Sequence, residues 1–337
     1  MMQQNPEKKH TGSAYTPKRL LITGGAGFIG SWLVKLALQR WPEAHIVTLD
    51  ALTYAGNLAN LEPVLNHPRH QFVKGDIADA ACVKALFEQY AFDAVINSAA
   101  ETHVDRSIHD ASPFLKSNVL GTGVLLEAAR LANGFDRFLQ VSTDEVYGSI
   151  EAPARFTEAS PLNPSSPYAA SKASADLLVQ SYAHTYGLNT LITRCTNNYG
   201  PNQYPEKLLP LMIQNALQHQ ALPVYGDGMN IRDWLHVRDH CRALLTVLER
   251  GTPGEVYNIG GCNEQTNLSV IKAVLKRLNR PESLITFVPD RLGHDRRYAI
   301  DAGKLSAQLG WQPEEAFEAG LDELVQAANT NAEALVG

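Results

Sequence analysis

Six short runs, each almost wholly apolar, restrict this chain more than any other feature. They are RLLITG, HIVTLD, QFVKGDI, AVINSAA, FLQVST and TLITRC, met in that order between Arg19 and Cys195. Between several of them lie stretches such as SWLVKLALQRW and VLLEAARLA, whose apolar residues recur at helical spacing. A strand that is apolar along its whole length must be covered on both faces. Strands of that kind, joined by helices, make a parallel sheet with a helical layer on either side. The pattern predicts an α/β, doubly wound sheet over 18–195. Ligands of such sheets sit at the carboxyl ends of the strands.

After Cys195 the texture changes. NNYGPNQYPEKLLP and PVYGDGMNIRDW are loop-rich, helical patterns return in LSVIKAVLKRL and GLDELVQAAN, and EVYNIGG reads as a short strand. This predicts a smaller, mixed α/β ligand-binding domain over 196–330, with some segments returning to the first sheet. The opening MMQQNPEKKHTGSAYTP has no apolar core, so 1–17 reads as a disordered tail and not a secretory signal.

A net charge of −6 carries no electrostatic footprint for nucleic acid or an anionic membrane. No apolar stretch reaches the length of a membrane span. Any anionic ligand must therefore be held by a local cluster of cations. Cys82, Cys195, Cys241 and Cys262 are far apart and fit no metal-ligand spacing; they read as reduced thiols of a cytoplasmic protein, with no metal.

The first strand runs directly into GGAGFIG. Gly24, Gly27 and Gly30 give G-x-x-G-x-x-G, and Gly25, Gly27 and Gly30 also satisfy G-x-G-x-x-G. The motif follows a strand and opens a helix, which is the context that makes it a Rossmann-like dinucleotide fingerprint. Glycines let the backbone approach a pyrophosphate, which then rests on the helix N-terminus. Asp50 ends the second strand, where an acid binds the ribose hydroxyls of NAD and repels the extra phosphate of NADP. GDI (Gly75, Asp76, Ile77) and SAA (Ser98, Ala99, Ala100) end the next two strands and are candidates to flank the adenine and ribose.

The fifth strand ends in STDEVYG, so Thr143 is followed by the paired carboxylates Asp144 and Glu145. Two acids at the end of a buried strand are costly unless something there uses them. Further on, Tyr168 and Lys172 in SPYAASK lie four apart, on one face of a helix. A tyrosine with a reference pKa of about 10 is a poor base at neutral pH. A neighbouring ammonium and a nicotinamide cation both favour its phenolate.

With these motifs the chain resembles the extended short-chain dehydrogenase/reductase superfamily, and within it the nucleotide-sugar 4,6-dehydratases. LDALTYAGNLANL, AAETHVDRSI, STDEVYG, SPYAASKAS, TRCTNNYGPNQYPEKLLPL, PVYGDGMNIRDWLHVRDHCRA, EVYNIGG and GHDRRYAID carry the resemblance. The acid pair after the threonine is its specific part. The resemblance implies NAD as cofactor and a nucleotide sugar as substrate, dTDP-glucose before a UDP-sugar. It implies hydride removal from carbon 4 with Tyr168 as base, Lys172 beside it and Thr143 hydrogen-bonding nearby. Glu145 is then implied to take the carbon 5 proton and Asp144 to protonate the departing carbon 6 hydroxyl, before hydride returns to carbon 6.

By the same resemblance Phe28, Ile29, Thr53, Ser117 and Asn198 join Gly24, Gly27, Gly30, Asp50, Asp76, Ile77, Ala99, Ala100, Tyr168 and Lys172 at the cofactor. His103, Thr143, Asn197, Lys207, Leu208, Pro223, Tyr225, Arg232, Asn267, His294, Arg297 and Tyr298 are implied at the nucleotide sugar. Arg232 and the Arg296-Arg297 pair are the candidates for its diphosphate, since the guanidinium fork suits phosphate. Apolar positions beyond a single stripe over 114–132 and 168–186 predict a homodimer through a four-helix bundle. The competing readings are a 4-epimerase or UDP-sugar 4,6-dehydratase of the same superfamily, and a non-catalytic NAD-binding regulator. The acid pair argues against the epimerase, and the intact Thr143, Asp144, Glu145, Tyr168 and Lys172 argue against the regulator.

Overall fold

The computed structural model describes residues 14–334. The six apolar runs are strands β1 (Arg19–Thr23), β2 (His45–Asp50), β3 (His70–Lys74), β4 (Ala94–Asn97), β5 (Arg137–Thr143) and β6 (Thr190–Cys195). The later strands are β7 (Asn197–Tyr199), β8 (Leu222–Tyr225), β9 (Ile231–His236), β10 (Val256–Ile259), β11 (Glu264–Thr266) and β12 (Ile285–Val288). The main sheet has the order β10-β6-β5-β4-β1-β2-β3, and its neighbours all pair parallel. β10 is the EVYNIGG strand, so the second half of the chain does return to the first sheet.

Alternation along the strands sorts the core into two layers. Leu20 and Ile22 of β1 pack on one face with Leu33, Val34 and Ala37 of the helix Phe28–Arg40 and with Leu244 and Leu248 of the helix Val237–Arg250. Leu21, between them, faces the other side, against Leu125 and Leu126 of the helix Thr122–Leu131. Both layers are buried, which is why these strands are mostly apolar on both faces.

The strand order reverses between β1 and β4, and the crevice at such a reversal is where ligands bind. A buried polar ladder holds it open at fixed width. Thr23 donates to Asn97 Oδ1 at 2.6 Å, and Asn97 Nδ2 donates to Gln140 Oε1 at 2.9 Å and to Thr122 Oγ1 at 3.1 Å. Each polar group finds a partner, so the ladder spans β1, β4 and β5 without an orphaned donor.

The smaller lobe combines the sheet β11-β9-β7 with the pair β12-β8. Its core joins Met212 and Ile213, Ile271 and Val274, and Leu321 from three helices. Of the tail expected over 1–17, residues 1–13 lie outside the described residues. The remainder is docked rather than loose: the Tyr15 N–H donates to the Glu249 carbonyl at 2.9 Å, and the Arg137 guanidinium stacks over the Tyr15 ring at 4.9 Å. An aromatic ring packed at the amino ends of the central strands β4 and β5 offsets the ordering entropy of a short stretch of chain. Among the described residues, no helix is long and apolar enough to cross a membrane.

Candidate active site

The helix Phe28–Arg40 begins at Gly27, which has no side chain to cap it. Its first N–H groups are therefore left for a ligand, and they favour an anion. The turn before the helix and the first turn of the helix each have one point that only glycine fits. Gly24 has φ +68°, and a Cβ there would lie 2.7 Å from Ala99 Cα; a Cβ on Gly30 would lie 2.1 Å from the Gly24 carbonyl oxygen. Asp50 closes the cradle, accepting from the Ala26 N–H at 2.9 Å and the Leu52 N–H at 2.8 Å. One cavity of about 440 Å³ opens from this cradle along the crevice. All the residues that the sequence assigns to the cofactor line it, from Gly24 through Asp76, Ala99 and Ser117 to Asn198. The cradle, the acid at the end of β2 and the elongated cleft together fit a dinucleotide.

The same cavity reaches Thr143, Asp144, Glu145, Tyr168 and Lys172. β5 delivers the first three: Thr143 ends the strand and its hydroxyl accepts from the Glu145 N–H at 3.3 Å, turning the chain into the short 3₁₀ turn Asp144–Tyr147. Gly148, at φ +82°, ends that turn. Tyr168 and Lys172 come from the helix Pro167–Tyr186, which starts where it does because Ser166 caps the Ala169 N–H at 3.1 Å and Pro167 fills the first turn. Lys172 Nζ donates to the Val141 carbonyl at 2.6 Å, fastening the helix to β5 beside the acid pair.

The two acids sit in different fields. Asp144 is 2% exposed, and its Oδ2 has no hydrogen-bond partner. Burial holds its pKa well above the usual range, and Glu145 and Asp233 push it further in the same direction. Burial raises Glu145 as well, but Arg232, Arg291 and Lys207 face it and pull the other way. Both pKa values are raised, but the cations oppose the rise chiefly at Glu145, and unlike environments of this kind suit neighbouring acids to different roles. Tyr168 is buried beside the acid pair. Burial and the Glu145 charge hold its pKa well above the ordinary value, and the Thr143 hydroxyl opposes them. Lys172 is itself lowered by burial, with Asp176 opposing.

The expected nucleotide-sugar residues divide. Thr143, Asn197 and Lys207 line the cavity, and Lys207 Nζ donates to the Thr102 carbonyl at 3.1 Å. Arg232 stacks at 4.1 Å over the ring of Tyr298, whose hydroxyl lies 3.5 Å from Glu145 Oε2. Both are buried in the smaller lobe beside Glu145. Tyr225 and His294 meet edge to face at 6.1 Å, and Tyr225 donates to Asp105 at 3.1 Å. Asn267 opens its helix with a buried, unpartnered Oδ1. Leu208 starts the helix Leu208–Leu217, Pro223 is half-buried in β8, and His103 Nε2 is 3.4 Å from Glu206.

Arg297 is the exception. Its guanidinium donates to Glu264 at 2.8 Å and to the Ala154 carbonyl at 2.8 Å, so it has little left for a diphosphate. Arg296 pairs with Asp227 on the surface. Arg291, which the sequence reading missed, faces Glu145 alongside Arg232 and Lys207; its Nε is buried and unpartnered. The available signal was its place in DRLGHD, three residues before His294.

The family model for GDP-mannose 4,6 dehydratase matches residues 21–324. A dTDP-glucose 4,6-dehydratase of Neisseria meningitidis is 51% identical over 329 residues, covering 92% of each chain. The low-salt glycan biosynthesis protein Agl12 of Haloferax volcanii is 54% identical, over 91% of this chain and 97% of its own. Among solved structures, DesIV, the dTDP-glucose 4,6-dehydratase of Streptomyces venezuelae with NAD and TYD bound, superposes with a TM-score of 0.90. It is 49% identical and covers 94% of this chain and 98% of its own. Likeness of this extent, on a fold whose crevice holds the glycine cradle, the Tyr-Lys pair and the divided acids together, places the chain in the dTDP-glucose 4,6-dehydratase family.

Proposed function

We propose that the protein converts dTDP-glucose to dTDP-4-keto-6-deoxyglucose and water, with NAD held throughout the cycle. The observation that carries this reading is the buried Asp144-Glu145 pair at the end of β5, in one cavity with Tyr168 and Lys172. Bound in this cleft, NAD supplies a hydride acceptor that later becomes the donor, and a cationic ring that favours the Tyr168 phenolate. Tyr168 takes the proton of the carbon 4 hydroxyl, with Thr143 holding that hydroxyl in line. The resulting ketone acidifies carbon 5, whose proton passes to the Glu145 carboxylate. Asp144, whose pKa its surroundings hold up, gives its proton to the carbon 6 hydroxyl, which leaves as water and opens a carbon 5–carbon 6 double bond. Hydride return to carbon 6, with Glu145 giving its proton back to carbon 5, completes the 4-keto-6-deoxy sugar. Arg232, Arg291 and Lys207 supply the positive field that the chain's net charge of −6 does not. Incubation with dTDP-glucose and with UDP-glucose, followed by mass analysis, tests the reading. Loss of water from the thymidine sugar supports it, and an isobaric 4-epimer would replace it with the epimerase reading.

Asp50 makes NAD the expected cofactor. A second negative charge brought against its carboxylate costs several kcal/mol. NADP should therefore bind weaker than NAD by a factor of roughly a hundred or more, and denatured protein should release NAD(H). Tighter binding of NADP in a fluorescence titration would overturn the assignment.

We further propose a homodimer built on the helices Ser112–Phe114 through Thr122–Leu131 and Pro167–Tyr186. Leu115, Leu120, Leu131, Leu177 and Tyr186 lie on or beside these helices and are each more than half exposed. Apolar side chains gathered on one pair of helices mark an interface. Sedimentation should show a dimer at micromolar concentration, and Leu120→Glu with Leu177→Glu should give a monomer. A wild-type monomer would refute the proposal. The four cysteines are free thiols, which supports a reducing, cytoplasmic location.

A further inference from the structure

The turn over 201–207 crosses the cleft and is tied down at both ends. At the cradle end, Trp32 Nε1 donates to the Pro201 carbonyl at 2.9 Å, one turn into the helix that begins at Gly27. At the far end, Lys207 reaches the Thr102 carbonyl beyond β4. Between these ends Gln203 and Tyr204 line the cavity itself. Midway, a cluster of side chains from three separate segments closes on itself. The rings of Tyr54 and Tyr204 meet edge to face at 5.3 Å, and the Arg106 guanidinium stacks on Tyr54 at 4.0 Å. Arg106 also donates to Glu206 at 2.9 Å. Tyr54 comes from the loop after β2 and Arg106 from the short helix Val104–His109 after β4, so the contacts bridge the rim on which Thr53 and Glu101 lie.

We propose that the 201–207 turn is a latched roof over the dinucleotide, and that the Tyr54–Arg106–Tyr204–Glu206 latch sets how slowly the cofactor leaves. The inference rests on the dinucleotide reading given above. The reaction returns the cofactor to its starting oxidation state at each turnover, so nothing requires it to depart. An enzyme that exchanged its cofactor every cycle would be slowed by such a closure. Here the closure removes only a loss. Neither Tyr54 nor Arg106 needs to touch the reacting sugar for this role; they act by holding the turn shut.

An edge-to-face aromatic pair and a partly exposed cation–π contact together favour the closed roof by about tenfold or somewhat more. Dissociation is read by adding excess ADP-ribose to the NAD-loaded protein, desalting at timed intervals and quantifying the NAD(H) retained. Tyr54→Ala, which removes both contacts at once, should speed release by roughly tenfold or more. Arg106→Met should speed it less, and Tyr54→Phe, which keeps the ring, should release at the wild-type rate. The double variant Tyr54→Ala/Tyr204→Ala should be no faster than Tyr54→Ala within about twofold, because the two rings share one contact. Thermal melting of the same samples identifies any variant that has lost its fold, and Tyr54→Phe and the exposed Arg106→Met then carry the comparison. Wild-type release rates in both Tyr54→Ala and Arg106→Met would overturn the latch while leaving the dinucleotide reading intact. A wild-type protein that neither carries nor takes up NAD would overturn both.

Discussion

Glu145→Gln is expected to lower turnover by roughly 10²–10⁴-fold, the usual worth of a positioned general base, while oxidation at carbon 4 survives. That oxidation needs Tyr168, Lys172 and the cofactor, none of which the substitution touches. Exchange of the carbon 5 proton with deuterated water should fall in parallel with turnover. Asp144→Asn should behave differently: the amide keeps the shape but has no proton to give to the carbon 6 hydroxyl, so reduced nicotinamide should accumulate while water loss slows. Tyr168→Phe should abolish the nicotinamide signal from the outset. Single-turnover absorbance alongside product mass separates the three. Dehydration at the wild-type rate in both carboxylate variants would make the pair structural and end the dehydratase reading.

The pH profile should report the same division of labour. Glu145 must be ionised, so activity falls as pH drops through its raised pKa. Asp144 must be protonated, so activity falls as pH rises through its own, which burial and Glu145 hold higher. The pair titrates as a unit, and the two limbs belong to it jointly. Removing the Glu145 charge takes away the second-largest influence holding Asp144 up, so in Glu145→Gln the alkaline limb should move to lower pH. A limb that stays where it is would show that the carboxylates do not sense one another.

Much of this was legible in the sequence because each catalytic group sits inside a short motif at a strand end or helix start. Thr143, Asp144 and Glu145 are consecutive, and Tyr168 and Lys172 are one helical turn apart, so local geometry alone nearly assembles them. The sheet was legible for a related reason: strands buried on both faces have no polar side to confuse their reading. The place of Arg291 opposite Glu145 was not legible. Arg291 and Arg297 both lie in one arginine-rich stretch, and the choice between them depends on the bridge between Ile231 and Arg297, which commits Arg297 to Glu264. The Asn97 ladder was missed because its partners lie 25, 43 and 74 residues away in sequence. The docking of Tyr15 on Glu249 was invisible for the same reason.

The ion pair between Asp176 and Arg194 was equally unmarked, and its disruption is expected to have the largest effect on stability. The two meet at 2.9 Å with side chains 0% and 2% exposed, behind Lys172 on the same helix face. Arg194 also donates to the Tyr147 hydroxyl at 2.9 Å. Removing one partner of such a pair costs about 3–5 kcal/mol, but the two removals are not equivalent. Asp176→Leu strands a guanidinium that cannot shed its proton, so it should bear the full cost at every pH at which the protein is folded. Arg194→Met leaves a carboxyl that can neutralise itself. Burial already raises the Asp176 pKa, and Arg194 is the foremost influence holding it down; without the arginine it rises further. A group whose folded pKa lies above its unfolded value binds more protons when folded, so its stability is greatest at low pH and is lost as pH rises through the folded pKa. The deficit of Arg194→Met relative to wild type should therefore shrink as pH falls from neutrality toward the carboxylate range, whereas that of Asp176→Leu should not. Asp176→Leu/Arg194→Met, which removes both charges of the pair, should recover part of the loss of either single variant. Denaturant unfolding of the four proteins at neutral and mildly acidic pH is the measurement. Equal, pH-independent losses in the single variants, with no recovery in the double, would show that packing around the pair and not its charge holds the helix of Tyr168 and Lys172 in place.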